Sequence, residues 1–155
     1  MTFRHEAVLN VEPTRILLVE DDPNDVELIR LALSNYSFIN QIDIVTDGEQ
    51  ALNYLLGQEN VAPRPLPRLV LLDLKLPKIN GIRVLQTLRA HPRTRKLVIA
   101  VMTSSEEDSD LNTCYDLGVN SYVVKPLDFQ QFLNVAQHVG LYWMSLNKPP
   151  LFPST

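Results

Sequence analysis

The sequence predicts an open α/β fold in which helices cover both faces of one parallel β-sheet. Four short, continuous apolar runs recur along the chain, which is typical of strands buried on both faces. Amphipathic segments with helical spacing alternate with these runs. At 155 residues the chain has room for one hydrophobic core of this kind. Alternating strands and helices then form a sheet with right-handed crossovers.

The predicted strands and helices follow one another in a regular order. Residues 42–45 are a weaker segment that suits an edge strand, and the four apolar runs are residues 16–19, 69–72, 97–102 and 122–124. Apolar residues at helical spacing define five helices, at Val26, Ile29, Leu33 and Tyr36; at Ala51, Leu52 and Leu55; at Val84, Leu85 and Leu88; at Leu111, Cys114 and Tyr115; and from Phe129 through Phe132, Leu133, Ala136 and Gly140 to Trp143.

Local signals mark where these helices begin and end. Asp22 followed by Pro23 is typical of an N-cap and a first helical turn. Gly57 and Gly118 predict the ends of the second and fourth helices. Two pairs could form a capping box for the fourth helix, Ser104 with Glu107 or Ser105 with Asp108.

The chain divides into one domain and two short ends. We expect residues 15–147 to form the domain, with residues 1–14 as an N-terminal extension and residues 148–155 as a C-terminal tail. Prolines within residues 58–68 favour an extended linker, and those after residue 147 favour an extended or disordered tail.

Composition excludes several classes of protein. The formal net charge of −4 disfavours nucleic acid as a partner, because phosphate contacts need clustered Lys and Arg. The single Cys114 excludes an internal disulfide and a cysteine zinc cluster. The first 14 residues lack the apolar segment of a signal peptide, and no apolar run approaches the ~20 residues that span a bilayer. We therefore expect a cytoplasmic protein.

Polar residues follow four of the predicted strands. Glu20 to Asp22 come after the first strand, Asp73 after the third, Thr103 and Ser104 after the fourth, and Lys125 after the fifth. Each has a structural explanation by itself, such as a helix cap or a turn. Because the carboxyl ends of parallel strands share one edge of the sheet, however, we expect them to converge on a single site.

The residue types in this cluster indicate phosphoryl transfer. Two carboxylates ~4 Å apart repel by ~4 kcal/mol at an effective dielectric constant near 20. Mg²⁺ relieves such repulsion, because it prefers carboxylate, water and phosphate oxygens. A carboxylate can act as the nucleophile and form an aspartyl phosphate. Lys125 and the metal ion could then offset the charge of the phosphoryl group, while the Thr103 hydroxyl donates a hydrogen bond.

The same segments resemble the receiver domain of bacterial response regulators. The resemblance extends over residues 15–139 and is carried by residues 16–22 (ILLVEDD), 71–81 (LLDLKLPKING), 101–104 (VMTS) and 121–126 (SYVVKP). It implies a flavodoxin-like, doubly wound (βα)5 fold with a five-stranded parallel sheet in the order 2-1-3-4-5. It also implies a response regulator of a two-component system, which accepts a phosphoryl group from a sensor histidine kinase and signals through protein–protein contacts.

The resemblance also assigns a role to each site residue. It implies that Asp73 is the phosphoacceptor and that Mg²⁺ is held by Asp21 directly, by Glu20 mostly through water, by Asp73 and by the main-chain carbonyl of Lys75. Lysine is a departure from the small polar residue expected at that last position, which leaves the rates open. The remaining assignments are Thr103 with Tyr122 as a switch pair, Lys125 as the phosphate-binding lysine, and a cis peptide bond between Lys125 and Pro126.

Within that family the chain is most similar to the small single-domain regulators of cyanobacterial phytochrome kinases. The similar features are the proline-containing insertion before the third strand, residues 103–108 (TSSEED), residues 115–120 (YDLGVN) and the pair Tyr142-Trp143. This similarity implies a phytochrome as the sensor kinase.

Three other functions are open to the same residues. A phosphatase of the haloacid-dehalogenase type also uses an aspartate after a strand, but it needs a second Asp where this chain has Lys75. A nucleotide-binding module is disfavoured because the loop 21–24 is acidic and lacks glycine. A scaffold that only binds partners would not require Asp73, Thr103 and Lys125 together. We therefore expect no enzyme activity beyond the domain's own phosphorylation and dephosphorylation.

The output is expected to be either a protein–protein contact or passage of the phosphoryl group to another histidine-containing protein. We expect no DNA-binding output domain after the fifth helix. The apolar residues that continue beyond the helical stripe predict a homodimer through the C-terminal helix, since a five-stranded sheet has little surface left to cover there. The alternative is that the tail folds back on its own domain. These additional residues are Leu141, Tyr142, Met144, Leu146, Leu151 and Phe152.

Overall fold

In the part of the chain that the structure describes, five parallel strands form one sheet in the order β2-β1-β3-β4-β5. The computed structural model describes residues 11–39 and 41–152. The predicted flavodoxin-like topology is confirmed, including the edge position of β2. The strands are β1 Val11–Val19, β2 Gln41–Val45, β3 Leu66–Leu72, β4 Ile99–Thr103 and β5 Ser121–Val124.

Across the same described residues, five α-helices alternate with the strands, as predicted. None of the helices within the described ranges combines the length and the apolar character needed to cross a bilayer. The helices are α1 Pro23–Leu33, α2 Gly48–Leu56, α3 Gly81–Ala90, α4 Asp108–Asp116 and α5 Phe129–Leu141, and a π-helical turn, Tyr142–Leu146, continues α5.

The sheet separates two hydrophobic cores. In β1, Leu17 and Val19 belong to the core that contains α2, α3 and α4, whereas Ile16 and Leu18 belong to the core of α1 and α5. Successive side chains of a strand point to opposite faces, so both sets are buried. This two-sided burial is the reason that the strands appear in the sequence as continuous apolar runs.

Three of the predicted helix ends are confirmed. Asp22 caps α1, because its Oδ1 accepts hydrogen bonds from the Asn24 and Asp25 N–H groups at 2.8 and 3.3 Å. Gly57 and Gly118 follow α2 and α4 with φ angles of 79° and 75°, values that glycine adopts without strain.

The predicted capping box of α4 is wrong. The helix begins at Asp108, and its N-cap residue, Glu107, makes no side-chain capping hydrogen bond. The Ser105 hydroxyl donates to Asp110 Oδ2 at 2.6 Å and accepts from the Glu107 N–H at 3.3 Å, so it makes no bond with the main chain of Asp108.

The first and last described residues contribute to the sheet or to its core. β1 begins at Val11, which pairs with Leu66, so residues 11–14 lie in the sheet although they fall within the predicted extension. Phe152 is buried against the core of α2, α3 and α4. The burial of Phe152 favours the alternative in which the tail folds back on its own domain, since burying a phenyl ring is worth about 1.5–3 kcal/mol. The division into domain and tails stays a prediction.

Helix α5 buries most of its predicted stripe. Phe132, Ala136 and Gly140 are buried, and Met144 in the π-helical turn extends the same face. Phe129, which was predicted to pack onto the sheet, is instead 57% exposed. It is the first residue of α5, so its ring lies beyond the edge of the packed core.

Candidate functional site

The predicted site residues converge at the carboxyl edge of the sheet. Glu20 directly follows β1, Asp73 follows β3, Thr103 ends β4 and Lys125 follows β5. The first three are buried polar residues with exposed fractions of 1, 6 and 0%. Asp21, the next residue after Glu20, is exposed. The edge therefore combines buried polar groups with an opening to solvent.

Lys125 holds the cluster together. Its ammonium Nζ lies 2.6 Å from Glu20 Oε1, 2.7 Å from Asp25 Oδ2 and 3.1 Å from Asp73 Oδ2. The ammonium side chain is 8% exposed, so these ion pairs are largely shielded from water. A buried lysine with three carboxylate partners has each of its three N–H donors matched to an acceptor.

Burial and neighbouring charges shift the ionisation of this cluster. Burial, together with the nearby charge of Asp73, raises the pKa of Glu20 to about 7, although the hydrogen bond from Lys125 opposes that rise. Burial also disfavours the charged form of Lys125, but the hydrogen bonds to Asp25 and Glu20 outweigh it and raise the pKa of Lys125. The lysine therefore stays charged near neutral pH.

Three carboxylates at this edge form a suitable cation site. One oxygen each of Glu20, Asp21 and Asp73 lies within 4.8 Å of the other two. Carboxylate oxygens are the ligands that hard divalent cations prefer, and the donor set fits Mg²⁺. Of these three residues, Asp21 also lines a cleft of about 440 Å³ together with Lys75.

Main-chain contacts position Asp73. Its N–H donates to the Val19 carbonyl at 3.1 Å, and its Oδ1 accepts from the Lys75 N–H at 3.4 Å. The turn after Asp73 packs against Gly81, whose N–H donates to the Leu74 carbonyl at 2.8 Å. A Cβ atom on Gly81 would lie 2.3 Å from the Asp73 carbonyl oxygen, so only glycine fits there.

Hydrogen bonds connect Thr103 to Tyr122 through Ser105. The Ser105 N–H donates to Thr103 Oγ1 at 3.3 Å, and the Tyr122 hydroxyl donates to the Ser105 carbonyl at 3.1 Å. Burial raises the pKa of the Tyr122 hydroxyl. The two residues of the predicted switch pair are thus joined by one intervening residue.

The Lys125-Pro126 peptide bond is trans, like every peptide bond in the described ranges. The cis form expected from the resemblance is therefore wrong for this structure. The preference of such a bond for the trans form is about 0.5–1 kcal/mol.

A comparison with protein-family models identifies the family to which this fold belongs. A sequence model of the response regulator receiver domain matches residues 16–137. The chain belongs to the receiver domain family. A receiver domain is a signalling phosphoacceptor, and phosphorylation and Mg²⁺ binding are typical of this family.

Two curated relatives match most of this receiver domain. The "Probable methanogenesis regulatory protein FilR2" of Methanothrix harundinacea is 40% identical over 139 residues, which cover 90% of this chain and 89% of the relative. The "Response regulator Rcp1" of Synechocystis is 32% identical over 132 residues, covering 85% of this chain and 90% of the relative.

Solved structures extend the comparison. The phosphorylated cyanobacterial phytochrome response regulator RcpA has a TM-score of 0.81 and 34% identity, and the match covers 88% of this chain and 98% of RcpA. The Mn²⁺-bound form of Rcp1 has a TM-score of 0.81 and 33% identity, with 89% and 99% covered. The predicted similarity to the single-domain phytochrome regulators is confirmed.

One contact in this receiver domain was not predicted from the sequence. Asp25 binds Lys125 as closely as Glu20 does, at 2.7 Å, from the first turn of α1. The available signal was its position three residues after the N-cap Asp22, which places its side chain at the helix end nearest the edge cluster.

Proposed function

We propose that this receiver domain is a phosphorylation-dependent response regulator that accepts a phosphoryl group on Asp73 from a sensor histidine kinase. The observation that carries the proposal is the 3.1 Å contact between Lys125 Nζ and Asp73 Oδ2, beside the carboxylates of Glu20 and Asp21. A carboxylate nucleophile needs neighbouring positive charge, because the approaching phosphoryl group is itself an anion.

Four groups would hold Mg²⁺ in this proposal. They are the carboxylates of Glu20, Asp21 and Asp73 and the main-chain carbonyl of Lys75, and the carboxylate oxygens lie within 4.8 Å of one another. When bound, Mg²⁺ neutralises part of the charge of the carboxylates and of the transferring phosphoryl group.

In the proposed transfer, one oxygen of Asp73 bonds to phosphorus while the bond from phosphorus to the imidazole nitrogen of the donor histidine breaks. The electron pair of the broken bond stays on the imidazole nitrogen. Lys125 and the Thr103 hydroxyl donate hydrogen bonds to the phosphoryl oxygens, where negative charge is concentrated. Hydrolysis later returns the Asp73 carboxylate and inorganic phosphate.

The proposed signal leaves the site through Thr103 and Tyr122. A phosphoryl group adds a charge of about −1.5 to −2 and draws hydroxyl and ammonium donors toward it. If the Thr103 hydroxyl turns to the phosphoryl group, the Ser105 N–H loses its acceptor at 3.3 Å. The Ser105 carbonyl carries the hydrogen bond of Tyr122, so this loss reaches the surface formed by α4, β5 and α5.

The partners are part of the same proposal. The likeness to RcpA, described as a cyanobacterial phytochrome response regulator, supports a phytochrome kinase as the phosphoryl donor. Exposed apolar side chains in and after the π-helical turn support a homodimer, in which a second copy covers them. They are Tyr142, Leu146 and Leu151.

Phosphorylation by radiolabelled acetyl phosphate tests the acceptor. The wild-type chain should take up acid-labile phosphate only when Mg²⁺ is present, and Asp73→Asn should abolish the uptake, since an amide is a poor nucleophile. Asp116→Asn, an exposed aspartate at the end of α4, is the matched control and should be labelled normally. Labelling of Asp73→Asn at the wild-type stoichiometry would disprove the assignment.

A further inference from the structure

Asp25 has no role in the reaction proposed above, although it contacts the central lysine. Its Oδ2 lies 2.7 Å from Lys125 Nζ, closer than Asp73 Oδ2 at 3.1 Å. The Glu20 and Asp73 side chains are 2 and 8% exposed, whereas that of Asp25 is 21% exposed. Asp25 is therefore the most solvent-exposed of the three carboxylates that bind the ammonium.

The ammonium of Lys125 has no donor to spare in this arrangement. A lysine carries three N–H donors, and three carboxylates occupy them here. Phosphorylation of Asp73 removes the charge of that carboxylate and frees one donor, but a second hydrogen bond from Lys125 to the phosphoryl oxygens requires that Glu20 or Asp25 release the ammonium. Releasing buried Glu20 would leave an unpaired charge away from water, which is costly. Releasing Asp25 costs less, because water can hydrate its carboxylate.

We propose that Asp25 is a positioning residue that holds Lys125 in a resting arrangement and competes with the phosphoryl group for its ammonium. The inference rests on the proposed function and specifies how that site is regulated. Two effects act in the same direction. Asp25 offers Lys125 an alternative acceptor, and its own negative charge repels the arriving phosphoryl group. Removing the charge of Asp25 should therefore favour the phosphorylated state.

Beryllofluoride, a phosphoryl mimic that binds to aspartate in the presence of Mg²⁺, provides the test on the full chain. Asp25→Asn should bind it roughly fivefold more tightly or better, as expected when a partly exposed ion pair no longer competes. Asp25→Glu keeps the charge and should bind with an affinity close to that of the wild type. Glu27→Gln is the matched control. It removes an exposed negative charge from the same helix, but Glu27 pairs with Arg30 and not with Lys125.

A second readout follows Lys125 itself. In protein labelled with ¹³C at lysine Cε, the NMR signal of Lys125 should shift when Asp25→Asn is introduced. On binding of beryllofluoride, this signal should shift less in Asp25→Asn than in the wild type. Glu27→Gln should leave this signal in place. Thermal unfolding of each variant checks that the fold is retained.

The outcomes separate the two proposals. Equal or weaker binding by Asp25→Asn would overturn the positioning role while leaving the acceptor assignment intact. If Glu27→Gln binds beryllofluoride as tightly as Asp25→Asn does, the positioning role is also overturned, since the effect would then reflect the overall charge of the protein. If the wild-type chain binds no beryllofluoride and Asp73 takes up no phosphate, the proposed function fails and the inference fails with it.

Discussion

Single side chains in this protein owe their properties to where the fold buries them. Glu20 and Lys125 have opposite charges and lie 2.6 Å apart at a site closed from most solvent. A second, half-buried group lies along the middle of β1 and β2, where Asp43 accepts hydrogen bonds from Arg15, Gln41 and Tyr54. Unlike the cluster at the carboxyl edge, this group contributes to stability in a way that pH can test directly.

The raised pKa of Tyr54 predicts that the protein loses stability at alkaline pH. Burial and the hydrogen bond to Asp43 raise the pKa of Tyr54 to about 12. The Tyr54 hydroxyl of the unfolded chain loses its proton near pH 10, whereas that of the folded chain keeps it until about pH 12. The contribution of Tyr54 to the free energy of unfolding is therefore complete below about pH 10 and is lost as the pH rises toward 12. Between about pH 10 and 12 the free energy of unfolding should fall by about 1–2 kcal/mol more in the wild type than in Tyr54→Phe.

Urea unfolding at a series of pH values measures this difference. Tyr115→Phe, which changes an exposed tyrosine of α4, is the control and should follow the wild-type curve. Parallel curves for the wild type and Tyr54→Phe would show that the Tyr54 hydroxyl does not titrate in the expected way.

At the scale of the elements, close backbone contacts position the site. The first residue of α3, Gly81, approaches the main chain of Asp73 and Leu74. A second close contact, between α5 and α1, involves Gly140 and the side chain of Leu33. The two glycines differ in what surrounds them, because one faces rigid backbone and the other a side chain that can rotate.

This difference predicts separate effects of two alanine substitutions. A Cβ atom at position 81 would lie 2.3 Å from the Asp73 carbonyl oxygen, and one at position 140 would lie 2.4 Å from Leu33 Cδ2. Both Gly81→Ala and Gly140→Ala should lower the free energy of unfolding by about 1–3 kcal/mol. Gly81→Ala should in addition reduce phosphate labelling, because the turn that carries Asp73 must shift.

Labelling by acetyl phosphate and chemical unfolding, measured on the same samples, distinguish the two effects. Gly140→Ala should be labelled at nearly the wild-type rate under conditions in which it is fully folded. Equal labelling rates for both variants would mean that Gly81 contributes to packing alone.

At the scale of the whole molecule, the apolar residues at the C-terminal end divide into two sets. Met144 and Phe152 are buried in the domain, whereas Leu146 and Leu151 are 71 and 63% exposed. A tail that folds back on its own domain accounts for the buried pair, and an interface for a second copy stays a prediction for the exposed pair. Shortening the chain would remove core residues, so point substitutions are the cleaner test.

Substitution of Leu146 tests whether the protein forms the proposed homodimer. The wild-type chain should sediment as a dimer at micromolar concentration, and Leu146→Glu should shift it toward the monomer, because a charge in an apolar interface loses hydration without gaining a partner. Val61→Glu is the control, as Val61 is also an exposed apolar residue but lies in the loop before β3. A wild-type chain that stays monomeric with and without beryllofluoride would contradict the homodimer.

The sequence by itself determined the sheet, its order of elements and the polar residues at its carboxyl edge. These features depend on local periodicity and on residues that directly follow a strand, such as Asp73 and Lys125, so they can be recognised segment by segment. The resemblance to receiver domains rests on the same short segments, and the family match over residues 16–137 confirmed it.

Only the tertiary structure decided which side chains meet across the fold. Asp25 and Lys125 are 100 residues apart in the chain, and no local pattern links them. Phe129 and Phe152 are both apolar residues near the C-terminal end, yet the first is exposed and the second is buried, because burial depends on which neighbouring elements remain to be covered. Contacts of this kind arise from packing between distant segments, and packing is not encoded in the periodicity of either one.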